Sequence, residues 1–172
     1  MPNQYNYTYN EATSTYNFTT KNDIEYKIVF IVDESLDIAS EVHIENIYQI
    51  IIEKITDKIE PFDALVSKTI ENIITAFFAN VQNSLIYICS ENDDKAETRF
   101  NVFDRWYKNS TLESVTKVDN IINCEAEGNV YTIYTSLLYH NENQNIENVM
   151  TAYQKIENIL NDKKKPPLTR VL

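Results

Sequence analysis

Residues 48–81 read YQIIIEKITDKIEPFDALVSKTIENIITAFFANV, and this stretch decides the fold. Tyr48–Ile55 contains consecutive isoleucines, which indicate a strand buried on both faces in the centre of a sheet. From Pro61 onward apolar residues recur at helical spacing, so we predict a helix that begins at Pro61 and packs one face on that sheet. Its predicted apolar stripe is Phe62, Leu65, Val66, Ile70, Ile73, Ile74, Phe77 and Val81.

Toward the amino terminus, three further strands are predicted at residues 5–9, 16–20 and 25–32. Polar breaks separate them, so an antiparallel meander is the simplest arrangement. Asn22 and Asp23 suit the tight turn before the third strand, because both residue types tolerate a positive φ. Cross-strand pairing accounts best for the tyrosines of this region, which are Tyr5, Tyr7, Tyr9 and Tyr16.

Toward the carboxyl terminus, the pattern predicts a strand at 84–90 and then a helix capped by Asn92 or Asp93. That helix carries an apolar stripe formed by Ala96, Phe100, Phe103 and Tyr107, with Trp106 beside it. Strands at 115–125 and 130–140 follow, joined through Glu127-Gly128-Asn129, and a last helix spans 146–160. Residues 33–46 are mixed and polar and are predicted to form an irregular connection.

The element order is therefore β-β-β-β-α-β-α-β-β-α. We predict an α+β fold with a mixed, largely antiparallel twisted sheet of about six to seven strands and three helices. With 172 residues and 43% apolar residues, the chain suits one domain. We place that domain at residues 1–162 and a basic, proline-containing tail at 163–172.

Gly128 is the single glycine of the chain. Phosphate-binding loops of the Walker and dinucleotide types need glycines, because backbone N–H groups must approach an anion or φ must become positive. Such loops are excluded here, and we expect no cofactor.

The formal net charge is −11, which opposes binding to nucleic acid or to an anionic membrane surface. No apolar run is long enough to span a membrane, and the segment Met1–Tyr5 lacks the features of a signal peptide. We therefore expect a cytoplasmic protein whose partner is another protein or a second copy of itself.

Candidates for catalysis or metal binding are few. Cys89 and Cys124 stand alone on strand-like runs, so we expect buried thiols without a metal. His43 and His140 have no nucleophile nearby in sequence and suit surface or cap positions. The paired carboxylates Asp33-Glu34 and Asp93-Asp94 are expected to be solvated caps.

The helix after the strand at 84–90 carries the most distinctive patch of the chain. It combines Arg99, Arg105, Trp106 and Tyr107, and these residue types anchor protein interfaces. We predict this patch as the interaction surface. The simpler alternative is that Tyr107 belongs to the apolar core stripe and that Trp106 covers the edge of the sheet.

The order of elements, with Ala96-x-x-Arg99-Phe100 on the second helix, resembles the acetyl-CoA-dependent N-acyltransferase superfamily from about Ile24 to His140. The resemblance implies a cofactor pyrophosphate held at the amino end of the helix that follows the central strand. It also implies a glycine-containing loop before that helix and, in many members, a tyrosine acid on the later helix.

The sequence departs from that pattern at the cofactor loop, which here is Thr56-Asp-Lys-Ile-Glu-Pro-Phe62. Pro61 removes an amide donor, while Asp57 and Glu60 would repel a pyrophosphate. Phe100 and Asn101 occupy the positions where a tyrosine acid would stand. If the topology is right, the cofactor site is lost.

Two runs, Pro61–Ile70 and Lys95–Tyr107, resemble a family of small uncharacterised proteins found in Bacteroidota, over nearly the whole chain up to about Asp162. This resemblance implies no activity. Our first interpretation is a non-catalytic protein-binding domain with a degenerate acyltransferase-like fold. One alternative is an atypical acyl-transferring or nucleotidyl-transferring enzyme around Asp33, Glu34 and His43. Another is an acidic antagonist or antitoxin that binds a basic partner protein.

Overall fold

The computed structural model describes residues 3–34, 36, 43–59, 61–90, 95–126 and 129–156. Within these residues ten helices and strands follow the predicted order. The strands are β1 Tyr7–Asn10, β2 Thr15–Thr19, β3 Glu25–Val32, β4 Ile47–Lys54, β5 Ser84–Ser90, β6 Val115–Ala126 and β7 Asn129–His140. The helices are α1 Ala64–Phe77, α2 Ala96–Lys108 and α3 Ile146–Gln154. The α+β fold with three helices is confirmed.

All seven strands form one sheet in the order β1-β2-β3-β4-β5-β7-β6. Five of its strand pairs are antiparallel, and only β4 and β5 run parallel. β4 therefore lies at the centre, as its isoleucine run predicted. Of those isoleucines only Ile50 is buried, while Ile51 and Ile52 are half-buried.

The parallel pair explains this partial exposure. β4 and β5 are in register only from Ile47 opposite Ser84 to Gln49 opposite Ile86. Beyond these three residue pairs, no further pairing joins the two strands. A gap therefore opens between their carboxyl ends, at the centre of the sheet.

Two cores cover the two sides of the sheet. On the side that we call the α1 face, α1 and α2 pack on the sheet through residues such as Ile70, Phe103 and Leu138. On the other side, the α3 face, α3 packs through Val149 and Tyr153 on the β5 to β7 region. Both helical layers bury an apolar stripe, which is the usual driving force for α+β packing.

The tyrosine pairs of the meander are confirmed. Tyr9 lies opposite Tyr16, with 4.7 Å between ring centroids, and Tyr7 packs on Tyr16 at 5.9 Å. The turn before β3 uses Asp23 at a φ of 55°, as the Asn22-Asp23 pair predicted.

The predicted start of α1 is wrong. The helix begins at Ala64, and Asp63 is its N-cap because its carboxylate accepts a hydrogen bond from the Leu65 N–H. Phe62 therefore precedes the helix and is 92% exposed instead of joining the core. The helix ends at Phe77, so Val81 also lies outside it.

Some predicted features fall outside the described residues. α2 begins at Ala96 with Lys95 at its N-cap position, whereas the predicted caps Asn92 and Asp93 belong to residues that the structure does not describe. The same holds for Asp94, Glu60 and Gly128. β6 and β7 are paired up to Ala126 and Asn129, so the predicted hairpin is confirmed up to its turn.

Candidate functional site

The amino end of α1 is the place where the acyltransferase resemblance implies a bound pyrophosphate. Here Asp63 occupies it. Its carboxylate accepts the Leu65 N–H at 3.0 Å, and its side chain is only 4% exposed. A helix amino end attracts anions through its unpaired N–H groups and its dipole. In this chain, an anionic side chain of the protein itself already holds that position.

The amino-terminal segment holds Asp63 in place. The Tyr5 hydroxyl donates to the Asp63 carboxylate at 2.5 Å, and the Tyr5 N–H donates to the Thr69 hydroxyl at 2.9 Å. The Lys21 ammonium lies 3.8 Å from the same carboxylate. The Tyr5 hydrogen bond is the main reason why the pKa of Asp63 is lowered; burial opposes it, and the Leu65 N–H and Lys21 add to it. Asp63 is therefore a carboxylate at neutral pH.

Aromatic side chains line the α1 face on both sides of the gap between β4 and β5. On the β4 side, Phe77 stacks on Phe30 at 4.2 Å and meets Tyr48 edge-on at 5.2 Å. On the β5 side, Tyr87 stacks on Phe103 at 4.2 Å. Burial raises the pKa of the Tyr87 phenol, and the neighbouring Cys89 thiol raises it further. The phenol therefore stays protonated at neutral pH.

The predicted interaction surface on α2 is only partly assembled. Arg105 is exposed, while Arg99 and Trp106 are half-buried and lie seven residues apart on one side of the helix. Tyr107 is half-buried and its hydroxyl donates to the Val115 carbonyl at 2.7 Å. Tyr107 thus fastens α2 to β6, as the core alternative predicted.

Trp106 borders a shallow groove between α1 and α2, whose water-accessible volume of about 20 Å³ holds about one water molecule. Apolar side chains form most of its wall, while Ser67, Glu71 and Ser110 supply polar groups. Glu71 is engaged, because it accepts hydrogen bonds from the Thr111 N–H at 2.8 Å and from Lys68 at 2.9 Å. The lining is Ser67, Ile70, Glu71, Ile74, Phe103, Trp106, Tyr107, Ser110, Leu112 and Leu138.

A charge cluster around a buried lysine, between α2 and β6, was missed by the sequence analysis. The side chain of Lys117 is 2% exposed, and its ammonium contacts Asp104 at 3.1 Å, Asp119, and the Phe100 ring at 5.1 Å. The Ser136 hydroxyl donates to Asp119 at 2.7 Å. Strand alternation was the available signal, because Lys117 shares a face with the buried Val115.

This cluster suits a structural role. Asp104 also binds Lys108 at 2.6 Å, and that hydrogen bond is the first cause of its lowered pKa, with Lys117 as the second partner. The Lys117 ammonium therefore stays paired with carboxylates. The arrangement ties α2 to the sheet.

The residues of the enzyme alternative are placed differently from expectation. Asp33 is buried and accepts a hydrogen bond from the Gln49 amide at 2.5 Å, so the prediction of a solvated carboxylate is wrong for this residue. Glu34 is exposed. His43 is exposed beside Glu45, at 3.4 Å, which confirms its surface position. His140 accepts the Glu142 N–H at its Nδ1, a local cap as predicted.

Cys89 and Cys124 are buried thiols, as predicted. Among the described residues, no group of three or more His, Cys, Asp or Glu side chains could hold a metal ion. None of the described helices is long and apolar enough to cross a membrane.

The chain belongs to a family of unknown function, DUF6169, whose model matches residues 62–155. The match runs from α1 to the end of α3 and confirms the resemblance to a family of uncharacterised proteins. No curated protein matches the chain.

Among solved structures, the crystal structure of a protein described as a phosphinothricin N-acetyltransferase is similar to this chain. The similarity covers 78% of this chain and 75% of that chain, with 11% sequence identity and a TM-score of 0.45. Identity this low says nothing about what the present chain binds.

Proposed function

We propose that this chain is a cytoplasmic, non-catalytic protein-binding domain with an acyltransferase-like arrangement that holds no acyl-CoA. Its partner is another protein or a second copy, and neither nucleic acid nor a membrane. The observation that carries the proposal is the Asp63 carboxylate at the amino end of α1, fixed there by Tyr5.

The charges at the amino end of α1 oppose a bound pyrophosphate. A pyrophosphate at the amino end of α1 would approach a carboxylate that is 4% exposed and whose lowered pKa keeps it ionised. Two anions in a poorly solvated place repel each other strongly. Pro61 supplies no amide donor in the preceding segment, and Asp57 adds a further negative charge. These features favour a role without this cofactor.

The contact surface proposed is the exposed side of α2, centred on Arg105 and Trp106. Arg and Trp are enriched among the residues that contribute most to protein binding. Trp106 also borders the shallow groove between α1 and α2. Arg99 flanks Trp106, whereas the Tyr107 hydroxyl is already used by Val115.

Thermal unfolding with and without acetyl-CoA tests the absence of the cofactor. A ligand at about 100 times its dissociation constant stabilises by roughly 2.7 kcal/mol, which raises Tm by about 5–10 °C for a domain of this size. We expect no shift of Tm with about 1 mM acetyl-CoA or CoA. A saturable shift that isothermal titration reproduces would overturn the proposal.

Affinity of variants for a purified partner tests the surface. The partner is first captured on immobilised protein from an extract of the source cells and then purified by itself. We expect Trp106→Ala and Arg105→Ala each to weaken binding at least about tenfold, the size of a typical anchor residue, while Thr98→Ala, on an exposed position of the same helix, has no effect. Equal binding by all variants would exclude this surface. A basic partner that dissociates in high salt would favour the acidic antagonist instead.

A further inference from the structure

The strand β6 lies at one end of the sheet in the described part of the chain. It spans twelve residues, Val115–Ala126, and pairs with β7 over its full length. The strand at the opposite end, β1, has only four residues. Short edge strands resist pairing with other chains, whereas long ones offer a row of backbone donors and acceptors.

The register with β7 fixes which backbone groups of β6 point outward. In an antiparallel pair, residues alternate between those that bond to the partner strand and those that face away. The Asn141 N–H donates to the Ser114 carbonyl at 2.8 Å, and these two residues continue the β6–β7 register beyond the pair of Val115 with His140. Even-numbered residues of β6 therefore bond to β7. The N–H and C=O groups of Lys117, Asp119, Ile121 and Asn123 point away from the sheet.

β6 has few of the features that protect edge strands. It contains neither proline nor glycine, and its ladder with β7 has no bulge. Ile121 is 55% exposed near its middle. Lys117 does not project beyond the edge, because its ammonium is turned under α2 toward Asp104. Lys117 and Asp119 balance each other, so the net charge of −11 is not concentrated here.

We propose that β6 pairs antiparallel with β6 of a second copy, across a two-fold axis that passes through Ile121. Each Ile121 then lies opposite Ile121 of the second copy, and Asp119 lies opposite Asn123. An axis at Asp119 would oppose two carboxylates, which is unfavourable. The two sheets become one continuous sheet, with α1 and α2 of both copies on the same side. This proposal uses a different surface from α2 and does not depend on the missing cofactor.

Sedimentation analysis tests the proposal in the full chain. We expect dimers at about 100 µM protein and physiological salt, and monomers for Ile121→Glu, because two like charges would lie directly opposite each other across the axis. The matched control is Val130→Glu on β7, which is 70% exposed on the same hairpin but not on the edge strand. It should remain dimeric. Circular dichroism checks that both variants fold.

A disulfide tests the position of the axis. Opposite bonded residues have Cα atoms about 5.5 Å apart, within the range that a disulfide spans. Ile121→Cys should form a covalent dimer on mild oxidation, and Val130→Cys should not. A monomeric wild type at 100 µM, or loss of the dimer only in the Val130 variant, would overturn the proposal. The proposal would also be overturned if the full chain is a monomer and a variant without residues 163–172 is a dimer. That result would mean that the tail occupies the β6 edge in the full chain.

Discussion

The hydroxyl of Tyr5 donates a hydrogen bond of 2.5 Å to the carboxylate of Asp63, a residue 58 positions later in the chain. This contact joins the segment before β1 to the first turn of α1. It stabilises an ionised cap inside the protein, and it closes the end of a helix that would otherwise attract an anion.

Removing the Tyr5 hydroxyl should destabilise the protein. Tyr5→Phe keeps the ring, which stacks on Phe18 at 6.0 Å, but leaves the buried Asp63 carboxylate with one donor fewer. Hydrogen bonds to charged groups contribute about 1.5–3 kcal/mol, and we expect a loss of that size in the free energy of unfolding in urea. Tyr9→Phe is the matched control, because Tyr9 is largely exposed. An equal effect of the two substitutions would contradict the role of Tyr5.

Asp63 should also contribute to acid sensitivity. Its pKa lies below the ordinary value of 3.8 in the folded protein, chiefly because of the Tyr5 hydrogen bond. A lowered pKa gives stability that is present above the unfolded value and is lost as pH falls through the folded one. Asp63→Asn keeps a side-chain acceptor for the Leu65 N–H but removes the group that takes up a proton. Its free energy of unfolding, measured between about pH 2 and pH 6, should fall less steeply below about pH 4 than that of the wild type.

The same pH series separates Asp63 from other carboxylates. If the free energy of unfolding of Asp63→Asn falls with pH as steeply as that of the wild type, other groups cause the acid sensitivity. Asp104 is one such group, because its pKa is also lowered.

Lys117 and Lys108 both bind Asp104, but their burial differs. Lys117→Met removes the buried ammonium that Asp104 and Asp119 share, but the Asp119 side chain is 42% exposed and Asp104 keeps Lys108. We expect a loss of about 1–3 kcal/mol in the free energy of unfolding. Lys108 is mostly exposed, so Lys108→Met should change stability little. Similar effects of the two substitutions would show that burial does not govern this cluster.

Because α1 begins at Ala64, Phe62 should contribute little to stability. Phe62 fits the helical spacing but is 92% exposed, so Phe62→Ser should change the free energy of unfolding by no more than about 0.5 kcal/mol. Ile70→Ala, on the buried stripe of the same helix, should cost about 2–5 kcal/mol. A large loss for Phe62→Ser would restore the longer helix that the sequence pattern predicted.

Periodicity sufficed for most of the fold, because burial of apolar side chains repeats along each element. The isoleucines of β4 and the stripe around Ile70 and Ile73 carry that signal clearly. Periodicity failed at Phe62, because the apolar pattern extends to this residue but the helix does not. The Leu65 N–H donates to the Asp63 side chain, so Asp63 caps the helix, which begins at Ala64.

The candidate site was harder to predict from the sequence, because its contacts join residues that are far apart in the chain. Nothing near Asp63 in the chain indicates Tyr5 as its partner, and Lys117 meets Asp104 across 13 residues. Pairs of this kind depend on how α1 and α2 pack on the sheet. The departures at Pro61 and Asp57 were visible, whereas the residue that occupies the helix end was not.

The closure of α1 has an evolutionary consequence. Three separate contacts hold the first residues of the chain on this helix: Tyr5 to Asp63, Tyr5 to Thr69, and Gln4 to Asn72. Replacing Asp63 alone would remove the negative charge and leave the segment in place. Opening this helix end to an anion would therefore need several substitutions at once, each costly by itself, and selection for stability works against the intermediate steps.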